Sequence, residues 1–108
     1  MDLNQYQIVL VNLDPTIGSE IKKTRPCVII SPDEMNRHLR TLIIAPVTSR
    51  SKNYPTRVRV KIENKAGRVV IDQIRTIDKQ RVVKVLDKLT GKEIEDIKFT
   101  IKETFVDY

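Results

Sequence analysis

Apolar residues in this chain fall into short blocks separated by polar stretches, most of them carrying proline or glycine. Ile8 to Val11 and Cys27 to Ile30 are compact apolar runs, and Leu42 to Val47 is a third, with Pro46 near its end. Short apolar runs rich in Val and Ile predict buried strands. Arg57 to Ile62 behaves differently. Arg57, Arg59 and Lys61 alternate with Val58, Val60 and Ile62, a period of two that puts one face in the core and a cationic face in water. Arg68 to Ile71, Ile74 to Ile77 and Val82 to Leu86 predict further short strands. Between these blocks, Asn12-Leu13-Asp14-Pro15 begins a turn. Thr16 to Thr24, with Gly18, reads as a polar surface loop, and Ser31-Pro32 ends the second strand. Ser31 or Asp33 is placed to cap a helical turn through Met35 to Leu39. Thr48 to Pro55 is a polar, basic loop, and Asn64-Lys65-Ala66-Gly67 reads as a turn.

The last block changes period. Ile94, Ile97, Ile101 and Phe105 recur at spacings of three and four, which places one apolar stripe on a helix. Thr90 with Glu93 three residues on predicts a capping box at its start. The stripe reads as ordinary core packing. Several short strands followed by one helix predict a mostly β fold, a small barrel or strongly bent sheet with the helix packed on it.

A length of 108 residues fits one domain, residues 1–108. Trp is absent and aromatics make up 5%, so the core must be built from Ile, Val and Leu. Charge adds a direction. The net charge is +6 and the pI about 9.6, which suits a polyanionic partner such as nucleic acid. Between Lys22 and Lys61 there are ten basic residues and two acids, Asp33 and Glu34, so the excess is concentrated there.

The lone cysteine, Cys27, lies inside an apolar run and reads as a buried structural thiol. With one Cys and one His, His38, the chain lacks the donors of an ordinary zinc site. No metal or cofactor is expected. No apolar run approaches the length of a membrane span, so no membrane association is expected and the expected location is the cytoplasm.

Three clusters carry candidate chemistry. Gly18-Ser19-Glu20-Ile21-Lys22-Lys23-Thr24-Arg25-Pro26 ends with an arginine at the mouth of a buried strand. Pro26 biases Arg25 towards an extended backbone, and its guanidinium fork suits a phosphate. Spacing alone favours a surface arginine paired with a carboxylate. The second cluster, Pro46-Val47-Thr48-Ser49-Arg50-Ser51-Lys52-Asn53-Tyr54-Pro55, sets hydroxyls and cations directly after a buried strand. Thr48 suits a phosphate oxygen and Tyr54 a stacked base. A hydrophilic loop satisfying its own backbone reads equally from the residues. In the third, Asp72-Gln73-Ile74-Arg75-Thr76-Ile77-Asp78, Asp72 and Gln73 suit base edges. Arg75 suits either a phosphate or a structural salt bridge with an acid.

In order and spacing these pieces, with Asp14-Pro15-Thr16, Pro46 and Tyr54-Pro55, resemble the MazF/PemK/Kid toxins of bacterial toxin–antitoxin systems over nearly the whole chain. The resemblance implies an SH3-like barrel or strongly bent antiparallel sheet with a C-terminal helix, as in CcdB- and MazF-like proteins. It implies a sequence-specific, metal-independent endoribonuclease that cleaves single-stranded mRNA. It also implies a homodimer and a cognate antitoxin with an acidic, disordered tail. By matching positions, Arg25 and Thr48 are implied as the catalytic pair, with Glu20 in a loop near the site. Asp72 and Gln73 are implied as substrate contacts, and Ser19, Lys23, Ser49, Arg50, Lys52, Tyr54 and Arg75 complete the expected RNA-binding set. Some branches have a histidine at the position of Ser19 and one has an arginine at that of Val70, so catalytic schemes built on those groups do not transfer.

The implied reaction is attack of a 2′-hydroxyl on the adjacent phosphorus, giving a 2′,3′-cyclic phosphate and a 5′-hydroxyl. Arg25 and Thr48 would stabilise charge on the phosphoryl oxygens. Arginine is a poor general base, so Glu20, Arg25 as acid, and a bound water all stay open for proton transfer. Two other readings stand beside this one. A CcdB-like gyrase inhibitor shares the fold, but that type relies on a C-terminal end containing Trp, which this chain lacks. A non-catalytic RNA-binding barrel explains the charge but not the joint presence of Arg25 and Thr48.

Overall fold

A computed structural model describes residues 2–13, 23–50 and 52–107. The chain forms a seven-stranded antiparallel sheet, curled into a half-barrel, with a helix at its C-terminal end. The strands are β1 (Gln7–Asn12), β2 (Thr24–Ile29), β3 (Thr41–Thr48), β4 (Arg57–Ile62), β5 (Lys65–Val70), β6 (Arg75–Asp78) and β7 (Val82–Lys88). The helices are α1 (Asp33–His38) and α2 (Gly91–Ile101), and a π turn over Lys102–Val106 continues α2.

The sheet runs β4-β5-β3-β2-β1-β7, with β6 also paired to β3. β3 is what bends it. Thr41 to Ile44 pair with β6, and Val47 and Thr48 pair with β5, so one edge of β3 changes partner along its length. Pro46 lies between the two pairings, a position that does not need the N–H proline lacks.

Two clusters of buried side chains sit on opposite faces of the central strands. Ile8, Val28, Ala45 and Val47 join Val58, Val60, Val69 and Ile97 in one. Val9, Val11, Cys27, Ile29, Leu42, Ile44 and Ile77 form the other. β1, β2 and β3 are therefore buried on both faces, which is why their apolar runs are continuous. β4 is buried on one face only and keeps its alternation.

Helix α2 closes the first cluster through Ile97, with Ile94 and Ile101 partly buried beside it. The predicted capping box is present. The Thr90 hydroxyl accepts from Glu93 N–H at 3.2 Å, and Glu93 Oε1 accepts from Thr90 N–H at 2.8 Å. Glu93 Oε2 also accepts from Lys61 N–H at 2.8 Å, tying the helix start to β4.

Several expectations need correction. Phe105 leaves the stripe: it is 57% exposed, because the π turn rotates it away from the core. Neither Ser31 nor Asp33 caps α1, where Pro32 holds the cap position. The Ser31 hydroxyl instead donates to Asn36 Oδ1 at 2.6 Å and accepts from Ile43 N–H, while Asp33 accepts from Gln5 N–H. The β4–β5 turn falls on Glu63 and Asn64, with φ of 50° and 68°, the left-handed geometry of a two-residue hairpin. Gly67 is thus inside β5, not in the turn, and a Cβ there would lie 2.8 Å from Val47 Cγ1. Ile71 belongs to a 3-10 turn over Ile71–Gln73 instead of the strand before it.

Candidate active site

β2 and β3 pair as far as Cys27 opposite Pro46. Two residues further along, the strands present Arg25 and Thr48 at the rim of one concavity of about 590 Å³. Ser49, Arg50, Thr24 and Leu86 also line it. Arg25 is exposed, and no ion pair holds it among the described residues. The Thr48 hydroxyl oxygen accepts from Arg50 N–H at 3.2 Å. That bond fixes the oxygen and leaves its O–H proton to be donated into the concavity. Two donors, one of them permanently charged, thus share a groove on a rigid sheet, which suits an anionic oxygen.

Cys27 lies two residues from Arg25 along β2. Burial pushes its thiol up to about 12, against the pull of Arg25 and Arg75. A thiol held neutral in this way is not a nucleophile, in keeping with the structural role read from its run. His38 is exposed on α1.

A second group lies higher on the same outer sheet face. Arg57, opposite Val70 on β5, donates to Asp72 Oδ1 and to Thr56 Oγ1, the latter at 3.0 Å. Its guanidinium also sits 5.4 Å from the centroid of the Tyr54 ring, within cation–π range. Partial burial by itself would raise the Asp72 carboxyl. Hydrogen bonds from Thr56 and its own backbone, with the Arg57 charge, outweigh that and hold it below its ordinary value. Asp72 stays ionised and half-exposed beside an exposed Gln73 and a Tyr54 ring that is 52% exposed. An acceptor, an amide and an open aromatic face together are what base recognition uses.

The expected residues are therefore brought together in two groups. Arg25, Thr48, Ser49 and Arg50 share the groove. Tyr54, Asp72 and Gln73 form the second group. Lys23 and Lys52 are exposed and line neither. Arg75 is exposed on β6 opposite Ile44, and among the described residues it makes no salt bridge. Of the two acids of its cluster, Asp72 is bound by Arg57 and Asp78 accepts from Gln80 N–H. Ser19 and Glu20 lie outside the described residues. Sequence reasoning missed Arg57 as the residue that ties Tyr54 to Asp72. The alternation of β4 had marked its face, but not its partner fifteen residues on. Among the described residues no three His, Cys, Asp or Glu side chains converge as a metal donor set would.

Known proteins share this chain's sequence pattern and its fold. The model of the PemK-like, MazF-like toxins of type II toxin–antitoxin systems matches residues 4–105. The endoribonuclease MazF of Staphylococcus saprophyticus is 33% identical over 101 residues, 88% of this chain and 84% of that protein. The crystal structure of MazF from Deinococcus radiodurans superposes with a TM-score of 0.79 at 25% identity, covering 95% of this chain and 96% of that one. A MazE–MazF structure from the same organism gives a TM-score of 0.81 at 24% identity, with 95% of each chain covered.

Proposed function

This chain belongs to the family of PemK-like, MazF-like toxins of type II toxin–antitoxin systems, and from that premise we propose how its groove cleaves RNA. The chain is an endoribonuclease, as its Staphylococcus saprophyticus relative is named, which favours this reading over the gyrase inhibitor. Its substrate is single-stranded mRNA, bound across the outer sheet face at Arg25 and the Tyr54–Asp72–Gln73 group. In the reaction a 2′-hydroxyl oxygen bonds to the adjacent phosphorus, and the bond to the 5′-oxygen of the next nucleotide breaks. The 2′-hydroxyl proton leaves to a base, and the departing 5′-oxygen takes up a proton. The products are a 2′,3′-cyclic phosphate and a 5′-hydroxyl end.

The observation that carries this reading is the pairing of Arg25 and Thr48 at one groove. Negative charge grows on the phosphoryl oxygens as the pentavalent state forms. The charged Arg25 guanidinium and a hydroxyl oriented by Arg50 N–H both face that charge from the groove. The chemistry needs no metal, and Glu20 is the carboxylate candidate for proton transfer. The whole chain acts as one domain in the cytoplasm, as a homodimer. The acidic tail of a cognate antitoxin occupies the same cationic face, consistent with a net charge of +6 and with the MazE–MazF pairs among the structural relatives.

The test is to map cleavage ends on a long RNA with chelator present, using wild type and Arg25→Ala. Cyclic phosphate ends from wild type and near silence from Arg25→Ala are expected. Full activity in Arg25→Ala, or cleavage of a strand lacking 2′-hydroxyls, would sink the mechanism.

A further inference from the structure

Two arginines outside both groups face each other across the β4–β5 hairpin. Arg59 is the register partner of Arg68, and Arg68 in turn is the partner of Thr48 on β3. Directly opposed residues of an antiparallel sheet share a face. Arg59, Arg68 and Thr48 therefore form one row on the outer face, and Arg25 lies at its end on β2. Strands sit about 4.8 Å apart, so the row from Arg59 to Arg25 spans roughly 14 Å.

Like charges placed directly opposite each other are destabilising, and the carboxylates that line the same concavity, Asp87 and Glu93, form no ion pair with them. No ion pair involves Arg59 or Arg68 among the described residues. The acids nearby are already committed to backbone amides. Asp87 accepts from Glu63 N–H at 3.1 Å and Lys88 N–H at 2.8 Å, and Glu93 accepts from Thr90 and Lys61 N–H. Arg59 and Arg68 line a concavity of about 860 Å³ that shares Ser49, Ala66 and Gly67 with the Arg25–Thr48 groove.

We propose that Arg59 and Arg68 form a second phosphate site, which grips the RNA backbone a few nucleotides from the bond that is cut. The proposal rests on reading the Arg25–Thr48 groove as the cleavage site. A phosphodiester between the two guanidiniums converts their repulsion into a pair of charge-assisted hydrogen bonds. Continuity of the two concavities gives the strand its path along the row. The site carries no base readout, so it adds affinity for long strands without changing where they are cut.

Binding of a labelled 2′-fluoro RNA, which lacks the nucleophile, is measured by anisotropy over a range of salt concentrations. Wild type, Arg59→Gln, Arg68→Gln and the double variant are each given a long strand and a short strand limited to the cleavage site. The double variant should bind the long strand several-fold more weakly. Its salt dependence should be shallower by about 0.7 in log–log slope for each phosphate that the protein no longer neutralises, and its affinity for the short strand should match wild type. Equal affinity and slope on the long strand would overturn the proposal. So would equal losses on both strands. The single variants repeat the test should the double variant not fold. Cleavage of ordinary RNA by wild type is followed in parallel. Its absence counts against the cleavage site, while the binding curves still judge the arginine pair.

Discussion

Strands β2 and β3 and the hairpin β4–β5 lie side by side in one sheet, yet they are built on opposite terms. Cys27, Val28 and Ile29 are all fully buried, as are Ile44 and Ala45, because packed side chains cover both faces. In β4 only Val58 and Val60 are buried, while Arg59 and Lys61 stand in solvent. The central strands hold the fold, and β4 of the hairpin leaves one face to solvent. The candidate site falls where the two meet, at the ends of β2 and β3 beside β5. Arg25 and Thr48 are tips on strands whose neighbouring residues are buried on both faces. That combination keeps donors in place for a transition state without burying their charge.

The contrast predicts that activity and stability separate along the strands. The largest effect is expected at the tip. Arg25→Ala should lower the rate of RNA cleavage by about two to three orders of magnitude and shift unfolding free energy by no more than about 0.5 kcal/mol. Paired cleavage assays and denaturant titrations check both halves. A large stability loss would mean that Arg25 belongs to the scaffold. Deeper in β3 the balance should reverse. Ile44 is fully buried, and Ile44→Ala should cost about 2–5 kcal/mol of stability. The folded fraction should still cleave, so activity per folded molecule is the discriminating measurement.

Gly67 tests the seam between the two regions. Its missing Cβ lets β5 approach β3, with Val47 Cγ1 only 2.8 Å from where that atom would stand. Gly67→Ala should destabilise by about 1–3 kcal/mol through overpacking. Val47→Ala in the same chain should recover part of that loss in a double-mutant cycle. Additive losses would show that the close approach to Val47 is not what selects glycine.

The same contrast explains what the amino-acid pattern revealed. Every predicted strand exists, because continuous apolar runs and strict alternation are local signals that burial imposes. The capping box at Thr90 and Glu93 is equally local. What escaped depends on partners distant in the chain. Asn64 to Gly67 read as a turn because glycine and asparagine favour turns, yet Gly67 answers to Val47 across the sheet. Ser31 read as a helix cap, but its hydroxyl serves Asn36 and Ile43. Phe105 continued a helical period that the π turn breaks. In the candidate site Arg25 and Thr48 were legible through resemblance, and their shared groove follows from the β2–β3 pairing. The Arg57–Asp72 bond links positions fifteen apart and competes with a nearer cation, Arg75, so no spacing rule selects it.

Asp72 gives the smallest expected effect and the most direct probe of that bond. Its carboxyl lies below its ordinary value in the folded protein. The stability it contributes is therefore complete above the unfolded value of about 3.9 and is lost as pH falls through the lowered folded value. The side chain is 43% exposed, so solvent screens the pair and the contribution is small. Asp72→Asn should be slightly less stable than wild type near neutral pH, and the two melting curves should converge below about pH 4. A difference that persists unchanged into acid would show that the charge is not what Arg57 holds. Convergence would mean that this ion pair orients a carboxylate and an aromatic ring at little cost to the fold. The fold asks no more of it, because the strands buried on both faces already carry the stability.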